Sequence, residues 1–323
     1  MKLLFCTRND YIKNMAGDSV QLLTMANYLR SKGIAVDIND GTITDFKKYD
    51  IVHLFNLTRI SETYNYFKMA QAQEKSIVIT PIYWNLNKYY KFTESEYHIK
   101  LWDMYYIFRN EILNGCKMIY PSSILEENLI KSEYGESLPC QVIYNCIEEQ
   151  NIAEEKDKCS YILCAARICP RKNQLELAKV CNNLGEKLLL AGSANFNNYL
   201  DECLFFDNVT YLGNLQGNEL TKIYKGAKLH ALCSFVETPS LSSLEAASCG
   251  CNILLTSEGS TKEYFGNMAT YCNPYDENDL YKSVKEALVF NSQPELKQHI
   301  NCNFTTDICL QKLIESYYEI YNL

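Results

Sequence analysis

The chain has 323 residues, 47% of them hydrophobic and 22% charged, with a formal net charge of -8 and a pI near 5.2. That length suits two domains, each with its own core, and the acidic balance argues against a nucleic-acid binder, whose footprint is a basic face. Fifteen cysteines, odd in number and set in apolar runs such as YILCAA (161–166), read as reduced, buried cytosolic thiols rather than a disulfide framework. There is no Cys-x-x-Cys, and the four histidines (53, 98, 230, 299) lie far apart, so zinc is not expected. Arg8 and Asp10 interrupt any signal-peptide apolar region, and no apolar run approaches the roughly 18 residues of a membrane span.

In chain order, KLLFC (2–6) reads as a buried strand. AGDSVQ (16–21) carries a helix start, with Asp18 as N-cap and Gln21 at the capping-box spacing. Leu22, Met25, Ala26 and Leu29 keep one face of that helix apolar, and Gly33 stands where a C-terminal cap belongs. Strands are expected at 34–38, 49–55, 76–80, 117–122 and 140–145, with helical stretches between them. The charged segment 146–158 reads as a linker. The pattern then restarts with strands at 160–166, 186–193, 208–213, 228–234 and 251–257, and 306–323 closes the chain as an amphipathic helix. Continuously apolar strands that alternate with helices imply parallel sheets covered on both faces. The expected fold class is therefore α/β, two doubly wound Rossmann-like domains facing a cleft: residues 1–152, residues 153–305, and a helix at 306–323.

Ligands of such sheets bind at the carboxyl ends of the strands, and three features fall there. Arg167 and Lys172 follow the strand at 160–166, where a planar fork and a mobile point charge suit phosphate oxygens. Taken alone, the pair is more simply a solvated basic loop. Gly17, in MAGDSV (15–20), opens a helix whose N–H groups and positive dipole end suit a phosphate. By itself it is equally a plain tight turn. In VETPSLSSLEAASCG (236–250), Ser240, Leu241 and Ser242 sit at a helix start between Glu237 and Glu245, two carboxylates able to accept paired hydroxyl hydrogen bonds. Without context, a surface acid and a helix-dipole partner account for the two glutamates.

Together these segments resemble the retaining nucleotide-sugar glycosyltransferases of family four, which have the GT-B fold. ARICPRKNQLELAKV resembles that family's Gly-Arg-Leu…Lys-Gly/Asn segment. LHALCSFVETPSLSSLEAASCGCNILLTSEGSTKEYF resembles its Glu–seven residues–Glu signature and the following Gly…Glu turn, here Gly259 and Glu263. The resemblance implies that Arg167 and Lys172 stabilise the departing donor diphosphate and that Glu237 contacts the transferred sugar. Glu245 would hold the ribose hydroxyls, backbone near Ser240 to Ser242 would bind phosphate and sugar, and Gly17 would match the first-domain diphosphate loop. It further implies a nucleoside-diphosphate sugar as donor, no cofactor, a dispensable metal, and front-face transfer with retention.

The chain departs from the family at three places. Ile82 falls about where a His is common, glycines are common at the positions of Thr238 and Ser240, and Cys146 follows Asn145 where Asn-Gly is frequent. Tyr83, Trp84 and His53 are candidates to line the space left by the missing His, though His53 reads equally as a satisfied strand-end residue. The aromatic stretch 88–112 suits either a sugar or lipid contact or a helix core. The expected partner is a glycan or lipid-linked saccharide acceptor, in a bacterial surface-polysaccharide setting. The expected location is the cytoplasm, with peripheral contact at the inner face of the membrane through the first domain. A non-catalytic nucleotide-sugar-binding or partner protein, or a phosphorylase on the same scaffold, is the alternative.

Overall fold

The computed structural model describes residues 1–148, 160–289 and 294–322. It forms two compact units, Met1–Cys146 with the chain from Thr306 onward, and Ile147–Thr305. Most of the expected 146–158 linker lies outside the described residues.

The first unit runs β1 (Lys2–Cys6), α1 (Gly17–Ser31), β2 (Ala35–Asn39), β3 (Ile51–Phe55), α2 (Ile60–Ala72), β4 (Ser76–Thr80), α3 (Asn87–Phe92), α4 (Glu96–Met104), α5 (Tyr106–Gly115), β5 (Met118–Ile119) and α6 (Ile124–Tyr134). Its five strands are all parallel in the order β2-β1-β3-β4-β5. All five positions of β3 are buried, so both faces of the sheet are covered there, as a run without polar alternation requires. The strand order reverses beside β1, which places a topological switch between β1 and β3.

Two expectations for this unit are corrected. Asp18 does not cap α1. The N-cap is Ala16, without a side-chain bond, because the Asp18 carboxylate accepts from the buried Arg8 at 3.1 and 3.2 Å instead. Gln21 likewise turns away from a capping box and donates to Asn145. Residues 140–145 are not a strand of their own. They run beside β5 with one isolated bridge, Ile119 to Cys140, and hydrogen bonds to Ile119 and Pro121, too few to build a ladder.

The second unit runs β6 (Ile162–Ala165), a single 3-10 turn (Pro170–Lys172), α7 (Gln174–Leu184), β7 (Leu188–Ala191), α8 (Asn197–Leu204), β8 (Val209–Tyr211), α9 (Gly217–Gly226), β9 (Leu229–Leu232), α10 (Leu241–Ser248), β10 (Asn252–Thr256), α11 (Thr261–Phe265), β11 (Thr270–Cys272), α12 (Glu277–Val289) and α13 (Pro294–Asn303). Its six parallel strands are ordered β11-β10-β9-β6-β7-β8, so the switch lies between β6 and β9. Sequence reading misses β11. It is three residues long, begins with a polar Thr, and is held by pairing to β10 rather than by its own apolar pattern.

The last helix, α14 (Thr306–Tyr321), belongs to the first unit. Leu310, Leu313, Tyr317 and Ile320 recur every three or four residues and, with Cys309, form its buried stripe. Tyr28 of α1 and Lys32 just after it both donate to Asp307 at 3.0 Å. The cysteines among the described residues are free thiols, nearly all shielded from solvent. Among the described residues, no helix is long and apolar enough to cross a membrane.

Candidate functional site

The switch between β6 and β9 brings Lys172 and Glu237 together. Arg167 lies two residues past the end of β6. The chain then runs alongside Ser193 and Ala194, with Ile168 bridged to Ala194, and the Arg167 carbonyl accepts from Gln174 Nε2 at 2.8 Å. This close passage needs Gly192, at φ +142°, because a Cβ there would lie 2.1 Å from the Ala166 carbonyl oxygen. Lys172 closes the 3-10 turn. Asn173 follows in the left-handed region at φ +59° and starts α7, a conformation that favours glycine or asparagine and accounts for either residue after the lysine.

The loop after β9 meets this turn from the other strand. Phe235 N–H donates to the Arg171 carbonyl at 3.0 Å, and Lys172 Nζ lies 2.5 Å from Glu237 Oε2, both side chains mostly shielded from water. The Glu237 backbone is also fixed. Its N–H donates to the Glu258 carbonyl and its carbonyl accepts from Ser260 N–H, with Gly259 bridged to it. A Cβ on Gly259 would stand 1.8 Å from the Glu237 carbonyl oxygen, so the turn tolerates no side chain there.

Ser240 caps α10. Its φ of -75° is ordinary, and its hydroxyl accepts from Ser243 N–H at 3.2 Å and pairs with Ser242 Oγ at 2.9 Å. Serine in place of a family glycine is therefore accommodated without strain. Leu241 and Ser242 form the open first turn of α10, where helix N–H groups lack intrahelical acceptors. Glu245, one turn on, is half-buried. Burial pushes its carboxyl up to about 7, and a hydrogen bond donated by Tyr224 Oη at 3.1 Å opposes that rise.

Gly17 is the first residue of α1 in the other unit, and a Cβ there would meet nothing within 4 Å, so packing does not demand a glycine. The loop before it is held by Arg8, whose buried guanidinium bonds Asp10, the Asn14 carbonyl, Asp18 and Ser19.

Two of the three candidate acceptor residues are core residues. His53 is sealed in the sheet, its ring nitrogens engaged by Tyr317 and by Thr80 at 2.8 Å, and burial lowers its pKa to about 3. Tyr83 is fully buried, stacks on Trp102 and donates to Glu133 at 2.6 Å. Neither can reach an acceptor. Trp84 is half-buried. Among the aromatic residues of the stretch 88–112 only Trp102 is buried, its ring against Arg109, which donates to Tyr134 and the Trp102 carbonyl, while Phe92, Tyr97, Met104, Tyr106 and Ile107 are exposed.

Sequence reading passed over Tyr224 and Arg8. Tyr224 lies in α9 with no motif around it, and only the fold brings its hydroxyl to Glu245. Arg8 stands two residues before Asp10, and in the sequence the two show only as an interruption of an apolar run. Among the described residues, no group of three or more His, Cys, Asp or Glu side chains is placed to hold a metal ion. The arrangement instead offers cations, an open helix N-terminus and two carboxylates at one sheet edge, a set suited to an anion joined to a polyhydroxyl group.

Residues 147–301 match the family model of glycosyl transferases group 1. The O-antigen chain mannosyltransferase RfbU of Salmonella typhimurium is 24% identical over 178 residues, 53% of this chain and 50% of that protein, so the chain matches about half of the relative's length. A sucrose-phosphate synthase from Thermosynechococcus elongatus superposes with a TM-score of 0.81 over 100% of this chain and 99% of that one, at 12% identity. Anabaena HepE, solved in complex with UDP and glucose, gives 0.75 over 98% and 99%, at 13% identity. Residues 147–301 thus match the glycosyl transferases group 1 model, in a chain whose two units have the GT-B fold.

Proposed function

We propose that the protein is a retaining glycosyltransferase that moves a sugar from a nucleoside-diphosphate donor to a glycan or lipid-linked saccharide, in the assembly of a surface polysaccharide. The observation that carries this reading is the Lys172–Glu237 pair beside the open N-terminus of α10, at the switch point of the second unit's sheet. Relatives support the class of reaction: RfbU is a mannosyltransferase of an O-antigen chain, and HepE holds UDP and glucose.

In this reading Arg167 and Lys172 face the donor diphosphate and stabilise the charge that collects on it as the sugar leaves. The N–H groups of Leu241 and Ser242 and the Ser240 hydroxyl take phosphate or sugar oxygens. Glu245 accepts from the ribose hydroxyls, and Glu237 contacts the sugar on its reacting face. In the first unit, taken by itself, the start of α1 at Gly17 presents helix N–H groups suited to an anion. The bond from the anomeric carbon to the phosphate oxygen breaks, the bond to the acceptor oxygen forms on the same face, and the acceptor's proton passes to the departing phosphate oxygen. No protein base is needed, and positioning with electrostatic stabilisation supplies the catalysis. The exposed Tyr97, Met104 and Ile107 support contact with the lipid part of an acceptor at a membrane surface.

The test is a panel of nucleotide sugars, assayed for nucleotide release with and without saccharide acceptors and with EDTA present. One donor turned over and unaffected by EDTA is the expected result. Thermal stabilisation by a nucleotide with no turnover against any acceptor would favour a binding protein instead.

A further inference from the structure

The Glu245 carboxylate has one side-chain partner among the described residues, the Tyr224 hydroxyl, which donates to Oε2 at 3.1 Å. A carboxylate has about four acceptor sites, so most of its capacity remains free. Tyr224 itself is fully buried in α9, its carbonyl accepting from Cys251 Sγ at 2.9 Å, and its ring lies 5.8 Å from that of the buried His230. A side chain anchored this way has one orientation to offer. Resting on the reading of Glu245 as the ribose acid, we infer that Tyr224 is a positioning residue: its hydroxyl fixes one oxygen of Glu245 and leaves the other oxygen for a vicinal diol.

The charge balance around the pair agrees with this role. Burial of Glu245 favours the neutral acid, and the Tyr224 hydrogen bond is the contribution that opposes it. The other titratable groups near the pair are Lys225 of α9, Cys249 and Cys251 after α10, His230 of β9 and, beyond Cys249, Lys297 of α13. His230 is buried and held neutral, and Cys249 and Cys251 are thiols, Cys249 with its pKa raised by burial. A carboxylate accepts two hydroxyl hydrogen bonds, whereas the acid can offer one of its oxygens only as a donor.

The test needs no knowledge of the donor. Carbon-13 NMR of side-chain carboxyls in the ligand-free protein, with the Glu245 signal identified by its loss in Glu245→Gln, should give a midpoint near 7. In Tyr224→Phe the midpoint should rise by about one pH unit, the size of a lost hydrogen bond to a charged group. An unchanged midpoint in a folded Tyr224→Phe protein would overturn the inference. Calorimetry with UDP, GDP and their 2′,3′-dideoxy forms then separates it from the reading beneath it. The preference for ribose over dideoxyribose should grow several-fold as pH rises through the midpoint, with the curve displaced upward in Tyr224→Phe and flat in Glu245→Gln. A Glu245→Gln protein that keeps the full preference would overturn the ribose reading while leaving the NMR result to decide on Tyr224.

Discussion

Lys172 and Glu237 are bound to each other at 2.5 Å, so on the proposed reading a diphosphate draws Lys172 away from that carboxylate. Glu237→Gln should therefore act in opposite directions on two measurements. Binding of the bare nucleoside diphosphate should tighten by roughly three- to tenfold, the scale of one partly shielded ion pair, while turnover falls. Calorimetry beside steady-state kinetics checks this, and weaker diphosphate binding in the variant would contradict it. Ile82 is a second residue with something to test. It is β-branched yet sits at φ +46°, next to Tyr83, whose N–H donates at 2.6 Å to the buried Glu126. Such a residue carries about 1 kcal/mol or more of strain, so Ile82→Asn should raise the unfolding free energy by about 1 kcal/mol; a drop of that size would show the site to be unstrained. The place where the family carries a His was readable in the sequence. That the substitute would be held left-handed was not, because the hold comes from Glu126, 44 positions along the chain. His53 and Tyr83 looked available for the same reason: their partners Tyr317 and Glu133 are remote in sequence.

Among the elements, those with strong apolar runs were legible and those held by neighbours were not. β3, β4, β6, β7, β9 and β10 are buried at nearly every position and announce themselves as apolar runs. β11 is three residues supported by β10, and residues 140–145 have an apolar pattern without a ladder to join. The loops at the carboxyl edge show the same division. The turn at Gly259 was readable as a glycine before an acid, but its purpose, contact with the Glu237 backbone, appears only in the fold. Gly259→Ala should cost about 1–3 kcal/mol of stability from the clash alone, with added strain at φ +106°. Its effect on turnover should exceed that of an equally destabilising core substitution such as Val284→Ala in α12, since Glu237 moves with the turn. Equal losses of activity at equal losses of stability would remove the link between turn and site.

At the scale of the whole molecule, each unit buries one neutral histidine, His53 in the first and His230 in the second, and burial lowers both pKa values to about 3. The unfolded chain takes up a proton at each near pH 6.5 while the folded one does not, so stability is lost as pH falls below 6.5, by about 2 kcal/mol per histidine at pH 5. Glu245 works in the other direction. Its raised pKa of about 7 means that the folded second unit takes up a proton between pH 7 and 5 that the unfolded chain does not, a gain of about 2 kcal/mol over the same interval. The first unit should therefore weaken between pH 7 and 5 while the second stays nearly level, and Glu245→Gln should make the second weaken too. Hydrogen exchange resolved by unit checks this; equal weakening of both units in the unsubstituted protein would contradict it. The central claim, that the edge between β6 and β9 is where sugar transfer is catalysed, is tested most directly by the turnover of Lys172→Ala with the best nucleotide-sugar donor. A fall of roughly two to three orders of magnitude, the scale of losing one preorganised charge at a departing group, measured well below the variant's unfolding midpoint, is the predicted result; full activity in that variant would contradict the account.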